Sequence, residues 1–213
     1  MSPSPRLLTV NVVYAIRRGP TRLTAIDKRP VTGQVRVGEL GLDGDRQCDT
    51  SNHGGPDKAL YAYASEDATW WAGELDRDIP PGLFGDNLTT QGLDVTGALI
   101  GERWRIGGRD RGVLVEVRMP RTPCDNLSGR MGDPGFHKRF AASRRVGAYL
   151  RVLEPGTIEA GDRIEIAYRP EHDLSVGGYF DPPDPDRMRR VLDTGIDLAG
   201  IVRRRAQRVA ARA

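Results

Sequence analysis

Between Leu7 and Ile16 the chain is crowded with apolar and β-branched residues, including Thr9, Val10, Val12 and Val13, which predicts a first strand. Arg17-Arg18-Gly19-Pro20 ends it. A second strand is predicted from Val31 to Val37, bounded by Pro30 and Gly38, and Gly41 to Gln47 is dense in turn formers. Leu60 to Ala64 alternates as a short strand; the period then changes. Ser65 predicts a helix N-cap, Glu66 and Asp67 suit the first turn, and Trp70, Trp71 and Leu75 form the buried side. From Phe84 to Ile166 short apolar runs recur between glycines: Leu99-Ile100, Arg103 to Ile106, Val113 to Val117, Ala148 to Leu153 and Arg163 to Ala167. Closely spaced strands with few helices predict a mainly β fold, a barrel or a curled sheet.

Beyond residue 169 the pattern shifts. Pro170 to Asp186 is rich in Pro, Asp and Gly and reads as a linker. Arg187 to Leu192 and Leu198 to Val209 have apolar residues at helical spacing, predicting a short C-terminal α-helical segment. Its charge, through Arg187, Arg189, Arg190, Arg203, Arg204, Arg205, Arg208 and Arg212, fits the solvated face of a helical pair packed on the β core. The expected organisation is a β domain over 1–169 and a linker with a basic tail over 170–213.

Composition agrees: 26 glycines and 15 prolines against four phenylalanines favour turns and short strands over a helical bundle. The net charge of +3 is too mild to imply nucleic acid. Met1 to Arg6 lacks the apolar core of a signal peptide, and no run has membrane-spanning length. With two cysteines, Cys48 and Cys124, there is no disulfide framework, and the expected compartment is a reducing cytoplasm. His53, His137 and His172 are widely spaced, without CxxC or HExxH, which argues against a closed zinc site.

The most informative stretch is Met119-Pro120-Arg121-Thr122-Pro123-Cys124, directly after the run Val113 to Val117. Two prolines stiffen this turn before any ligand arrives. A thiol there, beside an arginine that favours thiolate, suits a metal ligand or a nucleophile. The competing reading is a buried structural cysteine.

His53-Gly54-Gly55-Pro56-Asp57-Lys58-Ala59-Leu60-Tyr61-Ala62-Tyr63, Phe84-Gly85-Asp86-Asn87-Leu88, Ile100-Gly101-Glu102 and Pro-Arg-Thr-Pro-Cys124 occur in that order. Together they resemble the MOSC family, the domain named after the C-terminal part of molybdenum cofactor sulfurases, and within it the free-standing bacterial YiiM-type proteins. The resemblance runs from about Ala25 to Ile166. It implies a β-barrel core with peripheral helices, to which the C-terminal tail adds a reduced form of a longer helical module.

The resemblance also implies chemistry. Cys124 would bond molybdenum in a pterin cofactor, molybdopterin, whose dithiolene sulfurs supply other ligands, so one soft thiolate suffices. Cys48 lies outside the motifs and is expected to be buried and inert. His53 is a candidate proton donor near the metal or an imidazole that locks the HGG turn. The cofactor's phosphate end calls for cations, for which Arg121, Lys58, Lys28, Arg36 and Arg46 are candidates, Arg121 foremost. Asp57 is a cofactor-side candidate or a turn cap, and Asn87 either meets the pterin edge or serves its own turn. Two departures from relatives, Asp86 where they carry Glu and Met119 where they commonly carry a polar residue, leave the metal ligand in place and the substrate open.

Two functions follow from the resemblance. One is an oxidoreductase reducing N-hydroxylated compounds such as hydroxylaminopurines, with separate flavin or iron–sulfur proteins as electron donors and a second copy of the chain as a further candidate partner. The other is a non-catalytic carrier of molybdenum cofactor or of persulfide sulfur. Pyridoxal phosphate enters only by family association, since some MOSC domains are fused to pyridoxal-phosphate-dependent desulfurases. A cysteine hydrolase using Cys124, His53 and an acid is a weaker third reading.

Overall fold

The apolar run at the start of the chain forms strand β1 (Arg6–Arg18), whose charged end continues past Ile16 because it pairs with β2 (Leu23–Val31). A computed structural model of the chain describes residues 4–20, 23–48 and 54–212. Apolar patterning hides β2, since Asp27 and Lys28 within it are both buried and Pro30 sits near its end. The strand expected from Val31 to Val37 is two pieces. Val31 closes β2, Gly33 turns the chain at φ 80°, and β3 (Val35–Gly38) joins a second, small sheet.

The main sheet adds β5 (Leu60–Ala64), β6 (Leu88–Gln91), β7 (Arg103–Ile106), β8 (Val113–Pro120), β9 (Ala148–Glu154) and β11 (Ile164–Tyr168). Its order is β11-β7-β8-β9-β5-β6-β1-β2, and every pairing is antiparallel except β5 with β6. A parallel pair needs a crossover, which helix α1 (Ser65–Leu75) provides. Its N-cap is Ala64 rather than Ser65, whose hydroxyl turns to Glu66. Trp71 is buried, whereas Trp70 is 37% exposed with the Arg145 guanidinium over it. The small sheet has the order β10-β3-β4, with β4 (Gly41–Leu42) and β10 (Gly156–Ile158).

The expected barrel is a strongly curled sheet instead. The start of β1 reaches the other edge, where Arg6 bridges Arg163, Leu7 N donates to Asp162 O at 2.7 Å and Ile164 N donates to Pro5 O at 2.9 Å. That contact is one isolated bridge rather than a ladder, so the sheet is not closed. The outermost strand, β2, extends beyond it as half of a hairpin.

Inside the curl, aromatic rings pack edge to face and offset. Tyr63, Phe84, Phe136, Phe140 and Trp71 have neighbouring centroids 4.9–6.1 Å apart, geometry that aromatic pairs favour. Phe136 and Phe140 come from α3 (Phe136–Ser143), which follows α2 (Asp125–Met131). Both helices are too short for a periodic signal. At the C-terminus α4 (Pro185–Asp193) is capped by Asp184, which accepts from Asp186 N and Arg187 N, and is followed by α5 (Gly200–Ala210). Met188, Val191, Val202, Ala206 and Val209 join the same core cluster as the sheet.

Arg118, 1% exposed on β8, binds the parts together. Its Nε donates to Asp57 at 2.7 Å, its Nη1 to Glu116 at 2.5 Å and to the Asp197 carbonyl, and its Nη2 to Asp197 at 3.3 Å. Arg151 donates to Asp57 and Asp197, both at 2.6 Å. One network therefore ties the turn before β5, the sheet and the loop between α4 and α5. Removing one partner of a buried ionic group strands the others without solvation. Arg118→Ala should lower unfolding free energy in urea by about 3–5 kcal/mol, far more than Asp197→Asn at its exposed site.

His172 is also locked. Leu174 N donates to its Nδ1 at 3.1 Å, so Nε2 carries the proton and donates to Ile100 O at 2.8 Å. Burial lowers its pKa, against opposition from the Ile100 bond and Asp173. Protonation would forfeit the Leu174 bond, so the unfolded chain binds the proton more readily. Stability should decline as pH falls below about 6.5, and His172→Gln should flatten that decline in thermal melts.

Candidate active site

Three of the four motifs of the sequence, those around Lys58 and Tyr61, Gly85 and Asn87, and Arg121 and Cys124, meet in one open pocket. Its wall includes Cys124, Arg121, Asn126, Tyr61, Tyr149, Lys58, Asn87, Lys28, Arg46, Cys48, Gly85 and the β2 segment from Leu23 to Ile26.

Cys124 sits where β8 gives way to α2, as the N-cap residue, and is half-buried. The preceding turn is pinned by Arg121 N donating to Gly147 O at 3.1 Å. Gly147 adopts φ 70°, and an added Cβ there would lie 2.4 Å from Ala62 O and 2.7 Å from the Tyr61 ring. Only glycine lets this loop pass so close to β5.

Arg121 is 5% exposed, with its guanidinium 5.8 Å from the Tyr61 ring centroid. Its Nη1 has no hydrogen-bond partner, and no ion pair to it exists among the described residues. Asn126 Oδ1, on the same wall, is likewise unpartnered. A buried, unneutralised guanidinium is costly unless an anion meets it. Burial foremost, with the Cys124 thiol adding and Arg121 opposing, holds the Tyr149 phenol above its usual pKa. Arg121 and Cys124 thus both lie within electrostatic reach of Tyr149.

The opposite wall is organised by Asp45, a residue that sequence reasoning passed over as part of a turn. It accepts from Lys28, from Asn87 Nδ2 at 2.8 Å and from Val13 N at 2.9 Å. Burial lowers the Lys28 pKa, while Asp45 pulls it back up. Lys28 therefore lines the pocket as half of a buried ion pair, not as a spare cation. Asn87 is committed as well: Nδ2 also donates to Asn11 O at 3.3 Å, and Oδ1 accepts from Tyr61 N at 3.2 Å. Its amide, which also lines the pocket, is held by β1, β5 and Asp45 rather than by its own turn.

Other expected residues divide. Arg46 and Lys58 line the pocket, and Lys58 Nζ lies 5.8 Å from the Tyr149 ring centroid. Gln47 Nε2 donates to Lys58 O at 2.9 Å, joining the two turns. Asp57 faces Arg118 and Arg151 instead of the pocket. Arg36 is exposed on β3, outside the lining, because strand alternation sends Val35 and Val37 inward. Cys48, expected to be buried, is exposed at the pocket. His53 lies outside the described residues.

Neither departure from the family pattern touches the wall. Asp86 accepts from Asn11 at 3.2 Å, Thr89 at 2.6 Å and Gly82 N at 3.3 Å, and burial raises its pKa. Met119 is buried on β8. Among the described residues no group of three or more His, Cys, Asp or Glu could hold a metal ion, and no helix is long and apolar enough to cross a membrane.

The MOSC domain profile matches residues 49–165, and this chain belongs to the MOSC domain family. It is 34% identical over 174 residues to the protein YflK of Bacillus subtilis (strain 168), covering 79% of this chain and 77% of that one. A protein named Reductase from Gibberella moniliformis (strain M3125 / FGSC 7600) is 33% identical over 181 residues, 82% of this chain but 32% of the longer fungal one. The crystal structure of YiiM from Geobacillus stearothermophilus superposes with a TM-score of 0.77 at 27% identity, covering 96% of this chain and 98% of that one.

Asp45→Ala would leave the Lys28 ammonium buried without its counter-charge. The variant should lose about 3–5 kcal/mol in chemical unfolding. Because its Lys28 sheds the proton more easily when folded than unfolded, the deficit relative to wild type should shrink as pH rises towards about 10.4.

Proposed function

We propose that this protein binds molybdenum cofactor in the Cys124 pocket and reduces N-hydroxylated compounds there. The observation that carries the reading is the buried, unpartnered Arg121 Nη1 on the wall that also presents the thiol. A ligand uniting a soft metal and a phosphate answers both groups: thiolate suits the metal, and guanidinium suits the phosphate. Membership of the MOSC family and the name of the fungal relative support an oxidoreductase role.

Cys124 would hold the metal and Arg121 the anionic end, with Lys58 and Arg46 adding positive charge at the wall. Bound there, the cofactor would supply two-electron oxygen-atom transfer chemistry. The residues of the chain do the rest. Tyr61 and Tyr149 give an uncharged aromatic wall suited to a planar base; burial holds both phenols protonated at neutral pH. His53 is the candidate proton source. Two electrons and two protons convert the N-hydroxyl substrate to the amine and water, the N–O bond breaking and an N–H bond forming. The electrons come from separate flavin or iron–sulfur proteins.

Cys48 favours a second reading, a persulfide carrier, since it places another thiol on the pocket wall. One experiment separates the two. Wild type and Cys124→Ser are purified from a host that makes molybdenum cofactor and analysed for metal, N-hydroxyl reduction and persulfide after exposure to a cysteine desulfurase. Near-stoichiometric molybdenum with reduction, both lost in Cys124→Ser, is the expected result. A Cys124 persulfide without molybdenum would replace catalysis with carriage.

A further inference from the structure

Among the described residues eight large hydrophobic side chains stand well exposed, and three of them belong to one hairpin: Tyr14 at 62%, Ile16 at 44% and Leu23 at 60%. Arginines surround them. Arg17, Arg18 and Arg29 are exposed on the same two strands, and the Arg29 guanidinium lies 3.4 Å over the Tyr14 ring. Asp27 is the only carboxylate in the hairpin sequence and is fully buried. It is shared by Arg17 at 2.8 Å, Arg29 at 3.8 Å and Arg130 at 2.8 Å. The hairpin thus exposes three apolar side chains together with three arginines and no exposed carboxylate of its own.

This face begins at the pocket mouth. The β1–β2 register pairs Arg17 with Thr24 and Arg18 with Leu23, and both Thr24 and Leu23 line the Cys124 pocket. The Arg130–Asp27 pair fastens β2 to α2, the helix that starts at Cys124. A protein seated on the hairpin end would therefore lie against the opening that leads to the thiol.

We propose that the β1–β2 hairpin end is the docking site for an acidic electron-carrier protein that feeds the pocket. The proposal rests on the reductase reading, which requires two electrons from outside at every turnover. Carrier exchange calls for a small, short-lived interface, and these are steered by opposite charge around a modest apolar contact. Here the positive charge and apolar side chains occur together beside the site that needs the electrons. Each docked one-electron carrier is oxidised once, and two such events complete one N-hydroxyl reduction.

The test compares wild type with Ile16→Glu/Arg18→Glu; neither residue lines the pocket. A reduced ferredoxin of net negative charge is one donor and chemically reduced methyl viologen the other, with a hydroxylaminopurine as substrate. Carrier binding is titrated separately with the oxidised ferredoxin. The variant should lose about tenfold or more in carrier-driven kcat/KM and in carrier affinity, with viologen-driven turnover within about twofold of wild type. Wild-type carrier-driven rates should fall as salt rises, and the variant's should respond less. Equal carrier binding by the two proteins, or no binding by wild type, would overturn the proposal. So would a wild-type dimer in sedimentation that the variant abolishes, or hairpin-dependent binding to anionic vesicles without ferredoxin affinity, since these give the face to another occupant. If wild type shows no viologen-driven reduction but binds ferredoxin through the hairpin, the catalytic reading falls and the docking site stands.

Discussion

Arg118 is the interaction on which the rest of the molecule depends. Fully buried on β8, it gathers Glu116 from its own strand, Asp57 from the turn before β5 and Asp197 from the loop between the last two helices. A guanidinium can do this because its five donors project in a fixed plane. Four hydrogen bonds then fix the relative placement of three segments distant in sequence. The Asp57 turn also carries Lys58, so the wall of the Cys124 pocket is held from behind by charge that never faces the ligand.

The pocket combines two different electrostatic designs. On the Asp45 wall Lys28, Asn87 and the Val13 amide all end on one carboxylate. On the Cys124 wall the Arg121 Nη1 and Asn126 Oδ1 have no hydrogen-bond partner among the described residues. The first wall is scaffold, and the second is the one to which the proposed function assigns the ligand.

The curled sheet explains how so much of the site assembles from strand ends. β5, β6, β8 and β9 are neighbours in the sheet, though they lie far apart along the chain. Their connecting turns converge at one end, where Asn87, Arg121, Cys124 and Gly147 meet. The β1–β2 hairpin lies at that end because β2 is the terminal strand, while the far edge of the sheet bridges to β1 without closing.

By itself the sequence determined the element types with strong local signals, the family and the thiol turn. Runs such as Val113 to Val117, the prolines about Arg121 and the ordered motifs are encoded locally, so they are legible without a fold. Local pattern also determined that the C-terminal segment has apolar faces to bury. Only the tertiary structure decided that β2 is a strand despite Asp27, Lys28 and Pro30, because its buried charges are compensated by Arg17, Arg130 and Asp45 from elsewhere. It alone turned Asp57 toward Arg118, tied Asn87 to Asp45, Asn11 and Tyr61, left Arg36 outside and exposed Cys48. The physical reason is common to all of these: a polar side chain's role depends on which partner reaches it first, and those partners are set by long-range pairing rather than by neighbours in sequence.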